Sequence, residues 1–305
     1  MLRGKKNNKT HFSSKKIEFG VSSMVSRLKT VGMLKPMEAL KRADPNKWHY
    51  GQAFDPSKIE RNYSSFIKIL NSLDVEILWM TPKNNENADS IFTYDPSFMT
   101  QKGAILLSPG KSLRKGEEKI HEEFYKNNNI PIIGKLSESA IAEGGDMFWL
   151  DKETLVIGKG FRTNQIAIEQ ITSMLSKINV EVVSFDLPFF LGREACLHMM
   201  SLISIVDEKK ALAYFSLLPV GLVQLLEKKG YDLIEAPEDE FISSEGLNIN
   251  VLAIKPGICV MISGCSRTKK ALEKKGVTVY TFDGDALCIG CEGGPTCLTR
   301  PILRV

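Results

Sequence analysis

Five short segments carry side chains able to do chemistry together. DSIFTYDP offers Asp89 and Asp95, EGGD offers Glu143 and Asp146, and CLHMMS offers His198. GLNINV offers Asn248 and Asn250, and EGGPTCLTRP offers Cys297. A thiol, an imidazole and several carboxylates are the parts of nucleophilic catalysis with general acid/base assistance. Each signal alone has a plainer reading. His198 sits in an apolar stretch read as strand, where a histidine is often a satisfied core residue. A lone cysteine is commonly a small buried hydrophobe. Asp146, after two glycines, is also a turn former. Their coincidence is what points to a site.

The elements that would position them repeat. Helical spacing marks 56–73, 116–127, 163–178, 217–229 and 267–275, the first with Ile59, Tyr63, Phe66, Ile67 and Leu70 on one face. Their starts lie roughly 50–60 residues apart, the period of a repeat architecture. Each is followed by a β-branched strand: VEILWM from Val75, IPIIG from Ile130, VEVVSF from Val180, YDLIEA from Tyr231 and VTVYTF from Val277. Hairpins are expected around Asp151–Thr154, Asp207–Lys210 and Pro256–Gly257. The early strand KTVGMLKP is expected to pair with the final CLTRPILRV and close a ring. The fold class is thus α/β, a five-unit α/β propeller of strand-strand-helix-strand units around a pseudo-fivefold axis. In a closed ring, equivalent positions converge on one pocket, each reactive residue lying on the first strand of its hairpin. A doubly wound sheet is the alternative, but no GxGxxG or P-loop pattern accompanies the strands.

The set DSIFTYDP, EGGDMFWLD, GFRTN, LHMMS and GGPTCLTRP resembles the guanidino-group-modifying enzymes: dimethylarginine dimethylaminohydrolases, arginine deiminases and amidinotransferases. The resemblance runs from about Val21 to Arg304 and implies a five-unit propeller. It implies Cys297 as nucleophile, His198 as general acid and then base, and Glu143 as the carboxylate that orients His198 and touches the guanidinium. Asp95 pairs with the guanidinium nitrogens; Asp89 and Asp146 are further substrate-binding candidates. Arg114, in SLRKGEE, and Arg162, in GFRTN, are candidates for the substrate α-carboxylate, with surface ion pairing as their plainer reading.

These residue types suit the chemistry. A guanidinium is planar and unreactive because its charge is delocalised, and carboxylates hold it by charge-assisted hydrogen bonds. A thiolate attacks the central carbon, histidine protonates the departing amine, and water then resolves the thiouronium intermediate. Met200 stands where deiminases carry an acid two positions after the histidine, which favours a methylated arginine. Thr296 replaces the histidine that often precedes the cysteine in deiminases and amidinotransferases. FTYD is nearer the deiminase motif. The expected activity is hydrolysis of a guanidino amino acid to citrulline plus amine or ammonia; the alternatives are an amidinotransferase and a non-catalytic propeller binding protein.

Bulk features narrow the class. The 305 residues are 43% hydrophobic and 25% charged, as in an ordinary globular protein. Six of the basic residues and no acid lie in 1–16, so a net charge of +4 becomes −2 without them. That basic arm is expected to be disordered, and 17–305 to form a single catalytic domain. No basic stripe or nucleic-acid module is visible. The longest uncharged stretch, Ala211–Leu226, has 16 residues and contains Pro219 and Gln224, too short for a bilayer span. Cys196, Cys259, Cys265, Cys288, Cys291 and Cys297 read as reduced thiols. The Cys288/Cys291 pair suggests zinc or a disulfide, but no second pair completes four ligands. The expectation is therefore a cytoplasmic enzyme with no metal and no cofactor. Its partner is a small guanidino molecule, neither nucleic acid nor membrane, and homodimerisation is open.

Overall fold

The computed structural model describes residues 17–83, 86–137, 139–193 and 197–305; the basic arm 1–16 and Cys196 lie outside them. Five three-stranded sheets share one topology. The second comprises β3 (Ser97–Thr100), β4 (Gly103–Leu106) and β5 (Ile132–Lys135). The third comprises β6 (Met147–Asp151), β7 (Thr154–Lys159) and β8 (Glu181–Asp186). The fourth comprises β9 (Ile203–Asp207), β10 (Lys210–Ala213) and β11 (Asp232–Glu235). The fifth comprises β12 (Leu252–Lys255), β13 (Ile258–Ile262) and β14 (Thr278–Phe282). The first and second strands of each pair antiparallel, the second and third parallel.

A parallel pair needs a crossover, and each sheet has one helix in that place. These are α1 (Pro56–Ser72), α2 (Glu117–Asn127), α3 (Gln165–Ser176), α4 (Val220–Lys228) and α5 (Ser266–Lys274). The first sheet borrows its antiparallel strand from the other end of the chain. There β1 (Leu28–Leu34) lies between β2 (Glu76–Met80) and β15 (Arg300–Arg304), with Leu28 opposite Arg304 and Gly32 opposite Arg300. The expected closure by the final strand is therefore present.

Local sequence explains the units. Helix α1 opens on Asp55, which accepts the Ser57 N–H, with Pro56 in its first turn; Asn164 likewise caps α3. Ile59, Tyr63, Phe66 and Leu70 form the buried face of α1. All five helices end alike. A left-handed residue follows each: Asp74, Asn129, Asn179, Gly230 and Gly276. The next N–H then reaches back across the last turn, as from Val75 to Leu70 O and Val277 to Leu272 O. Asn, Asp and Gly are the types that tolerate this conformation.

The first strands are buried nearly throughout, whereas the third strands are half-exposed. Neighbouring sheets meet along those first strands: β15 beside β3 and β9 beside β12, with β1 also touching β12. A bridge between Ser108 and Ala142 joins the second sheet to the third. Among the described residues no helix is long and apolar enough to cross a membrane.

One expectation changes. The reactive residues do not lie on the first strands; they occupy turns and connections one to eight residues ahead of them. His198 opens the turn Met199–Ser201 before β9, its N–H donating to Ser201 Oγ. The physical reason is spacing: a strand aims alternate residues at its neighbours, while a turn presents a side chain at the strand's mouth.

Candidate active site

Asp95 precedes β3, Glu143 and Asp146 precede β6, His198 precedes β9, Asn250 precedes β12 and Cys297 precedes β15. Asp89, Asp95, Arg114, Arg162, His198 and Cys297 share one cleft with Lys111, Cys291 and Glu292.

Glu143 is completely buried and heavily bonded. Its Oε2 lies 2.7 Å from His198 Nε2 and 3.0 Å from Arg162 Nη1. Its Oε1 accepts the backbone N–H groups of Gly110 at 2.9 Å and Lys111 at 3.2 Å. Burial opposes its charge, but His198, Arg162 and Arg114 outweigh that and hold the carboxyl well below its usual range. Glu143 is therefore a fixed anion that sets the plane of the imidazole.

The glycine pairs in the two GG motifs are close-approach positions. A Cβ on Gly145 would lie 2.4 Å from His198 Nδ1, and one on Gly294 would lie 2.4 Å from Asn250 Cγ. Without side chains there, the imidazole seats against the EGGD turn and Asn250 reaches the thiol. Asn250 Oδ1 accepts the Thr296 N–H at 3.0 Å, so its Nδ2 faces Cys297 Sγ at 3.1 Å and donates to it. Burial, then Asp95, push the Cys297 thiol up to about 11, against the opposing pull of His198 and Asn250. In the ligand-free protein the thiol is protonated near neutral pH, and a cation beside Asp95 would favour the thiolate.

Asp95 Oδ1 accepts the Gly145 N–H at 2.8 Å, and Oδ2 accepts from Arg114 Nη1 at 2.6 Å. Arg114 also binds Glu117 through Nε and Nη2, and the Phe92 carbonyl through Nη2. Burial opposes the Arg114 charge, but Glu117 and Asp95 more than restore it. Its side chain is only 5% exposed, so it backs Asp95 from inside the protein. Asp146 is also withdrawn: completely buried, it accepts the Met199 N–H at 2.9 Å and so anchors the turn that bears His198. Burial raises its carboxyl to about 6. Asp89 meets Tyr50 Oη at 2.7 Å and Lys111 Nζ at 2.6 Å. Asn248 turns away, donating to Thr268 Oγ1.

Met200 lines a separate interior cavity with Tyr94, Thr296 and Arg300 and not the cleft itself. Cys288 and Cys291 are both free thiols, as are Cys259, Cys265 and Cys297. Among the described residues the C-x-x-C pair gathers no third metal ligand. Among the described residues the grouping with that potential is Asp95, Glu143 and His198, whose ligand atoms lie within 4.8 Å of one another.

Sequence reasoning missed Lys111, Tyr50 and the specific duty of Asn250. The polar Asn250 stood at the right place in the repeat, whereas Lys111 and Tyr50 lie in connections with no periodic pattern.

Comparison with known proteins bears on the family and the fold. The family model described as "N,N dimethylarginine dimethylhydrolase, eukaryotic" matches residues 47–285. An uncharacterized protein, YkgA, of Bacillus subtilis is 28% identical over 242 residues, 79% of each chain. The N(G),N(G)-dimethylarginine dimethylaminohydrolase of Pseudomonas aeruginosa is 26% identical over 255 residues, 82% of this chain and 91% of that one. A solved mutant of the Pseudomonas aeruginosa enzyme complexed with citrulline superposes with a TM-score of 0.74 at 23% identity, covering 92% of this chain and 100% of that one. An amidinotransferase from Microseira wollei superposes with a TM-score of 0.77 at 16% identity, covering 94% and 97%. At such identities the structures speak for a shared fold alone. With the family model spanning most of the sequence and the five motifs meeting in one cleft, the chain belongs to the dimethylarginine dimethylhydrolase family of guanidino-modifying proteins.

Proposed function

We propose that the protein is a cysteine hydrolase that cleaves a guanidino C–N bond, giving a ureido product and an amine or ammonia. The observation that carries this reading is the arrangement of one cleft: a partly exposed thiol, Cys297, together with a histidine locked to a buried carboxylate, His198 and Glu143. The similar Pseudomonas aeruginosa protein is named for this chemistry, and its mutant is described in complex with citrulline.

A guanidinium entering the cleft pairs with Asp95, and its charge lowers the thiol pKa. The Cys297 thiol gives its proton to His198, and the thiolate attacks the guanidinium carbon, forming the C–S bond. His198 gives its proton to the departing nitrogen as the C–N bond breaks, leaving a thiouronium on Cys297. His198 then takes a proton from water, the hydroxide adds to the same carbon, and as the C–S bond breaks the added hydroxyl loses its proton to solvent, releasing the ureido product and a thiolate that takes the proton back from His198. Glu143 stabilises the imidazolium phases of this cycle. Arg114 and Asp146 are positioning residues, for Asp95 and for the His198 turn; Arg162 is the cation for the acid end of the substrate. The deciding experiment is a panel of guanidino compounds without added amine acceptor, scored for ureido product and amine release. Product that forms only after an amine is added would make the protein an amidinotransferase; no product at all would leave a binding protein.

Two further outcomes are expected. In the ligand-free protein, thiolate absorbance and alkylation of Cys297 should keep rising toward pH about 11, with the Cys297→Ser protein as blank. A plateau already reached near pH ~8, where an ordinary cysteine titrates, would contradict the burial argument. Dialysis against a chelator should leave turnover unchanged, and added zinc should lower it by binding the thiol. Asp95 and Glu143 already accept from arginines and backbone N–H groups, so a metal at their cluster with His198 would have to displace those donors. Activity lost to chelator and restored by zinc would overturn this assignment.

A further inference from the structure

Lys111 enters the cleft from the connection after β4, where its backbone N–H already braces Glu143. Its ammonium donates to Asp89 Oδ2 at 2.6 Å and to the Trp48 carbonyl at 2.8 Å. The same Nζ lies 5.2 Å from the centre of the Trp48 ring and 5.9 Å from that of Tyr50. Tyr50 Oη closes the arrangement by donating to the other Asp89 oxygen. A carboxylate, a carbonyl and two aromatic faces are what a protein uses to hold an ammonium ion. Here the cage is complete and holds the protein's own lysine.

The consequences for a ligand follow from charge. Both oxygens of Asp89 are engaged, Asp95 beside Arg114 is the carboxylate that the guanidinium itself takes in the reading above, and Glu143 serves His198. Glu292 is the remaining carboxylate of the cleft. Partial burial and Glu245 raise its carboxyl, and Lys111 is close enough to pull it back down. A second ammonium would therefore meet the Lys111 charge beside either acid. We propose that Lys111 makes this cleft selective for guanidino acids whose α-nitrogen is absent or acylated, its own ammonium occupying the place a free α-ammonium would need. This inference rests on the guanidino-hydrolase reading above. The same ammonium, with the Arg162 guanidinium, gives the cleft a positive wall suited to the carboxylate of such an acid.

The test compares kcat/KM for matched pairs: dimethylarginine against its Nα-acetyl derivative, and arginine against 5-guanidinopentanoate. In the unmodified protein the member without a free α-ammonium should lead by at least tenfold in each pair. Lys111→Met keeps the stem and the backbone N–H to Glu143 but frees Asp89. It should shift the ratio toward the free amino acid by at least tenfold. A second measurement needs no change at Lys111: calorimetric Kd values for citrulline and Nα-acetylcitrulline with the Cys297→Ser protein, the acetylated ligand binding at least tenfold tighter. Free amino acids preferred by the unmodified protein, or an unchanged ratio in Lys111→Met, would overturn the selectivity while leaving the hydrolase reading intact. No ureido product from any of the four compounds would overturn the hydrolase reading, and this inference with it.

Discussion

The Cys297→Ser protein should fold like its parent and lose turnover by about 10³-fold or more, the scale on which nucleophilic activation acts. Serine differs from cysteine by one atom at a partly exposed position, and the Asn250 amide can donate to a hydroxyl as it does to Sγ. Stability should therefore change little. The loss is chemical: a hydroxyl stays protonated in a cleft that already pushes a thiol up to about 11. The measurement is single-turnover ureido formation alongside thermal unfolding of both proteins. More than about a tenth of the parent rate, with the melting midpoint unchanged, would remove Cys297 from the nucleophile's role. Asp95 is a poorer place to test the site. Its carboxylate neutralises the buried Arg114, and removing one member of such a pair costs about 3–5 kcal/mol of stability. Lost activity there would mix folding with chemistry.

His198→Ala should slow turnover of an alkylated guanidine by about 10²–10⁴-fold, the usual contribution of a positioned acid/base. Its diagnostic feature is the fate of an activated substrate whose leaving group needs no proton. Attack by Cys297 then still proceeds, but no base remains to activate water, so a covalent adduct should accumulate on Cys297. Intact-protein mass spectrometry after acid quench measures it, and Cys297→Ser/His198→Ala should show none. Unimpaired hydrolysis by His198→Ala would exclude the imidazole from the mechanism. Glu143→Gln should weaken the same step less, because the Gly110, Lys111 and Arg162 donors still hold the side chain while the anion facing His198 is lost.

The five helices, their third strands and the closing pair of β1 and β15 were legible in the sequence. That legibility has a local cause. Each helix stops at a residue able to turn left-handed, and β-branched residues follow at once. The convergence of Cys297, His198 and Glu143 on one pocket was legible in the repeat, whereas the separate role of each came only from the motif resemblance. The reading of His198 as a strand residue failed because one apolar run, Leu197–Val206, contains a short turn before β9 begins. The duty of Asn250 depended on the missing Cβ of Gly294, a contact across 44 positions of sequence. Lys111 stands in the connection after β4, which holds only the short turn Ser112–Arg114, and Tyr50 was invisible for a like reason. The connection between β1 and α1 folds through two single-turn helices, Glu38–Lys41 and Pro45–Trp48, too short for any amphipathic signature. Arg114 was read as a candidate for the substrate carboxylate, with surface ion pairing as the plainer alternative, yet Asp95, Glu117 and the Phe92 carbonyl hold it inside.

The pairing of Leu28 with Arg304 has a consequence for synthesis on the ribosome. Four of the sheets can assemble as soon as their own consecutive segments emerge, since each is local in sequence. The first sheet must wait with β1 exposing an unpaired edge until β15 arrives. Cys297 precedes β15 by only a few residues, so the proposed nucleophile and the strand that seals this edge appear together. A nascent chain carries no working thiol until its last sheet can be completed, and stalled or prematurely ended chains present a sticky strand edge without any catalytic competence.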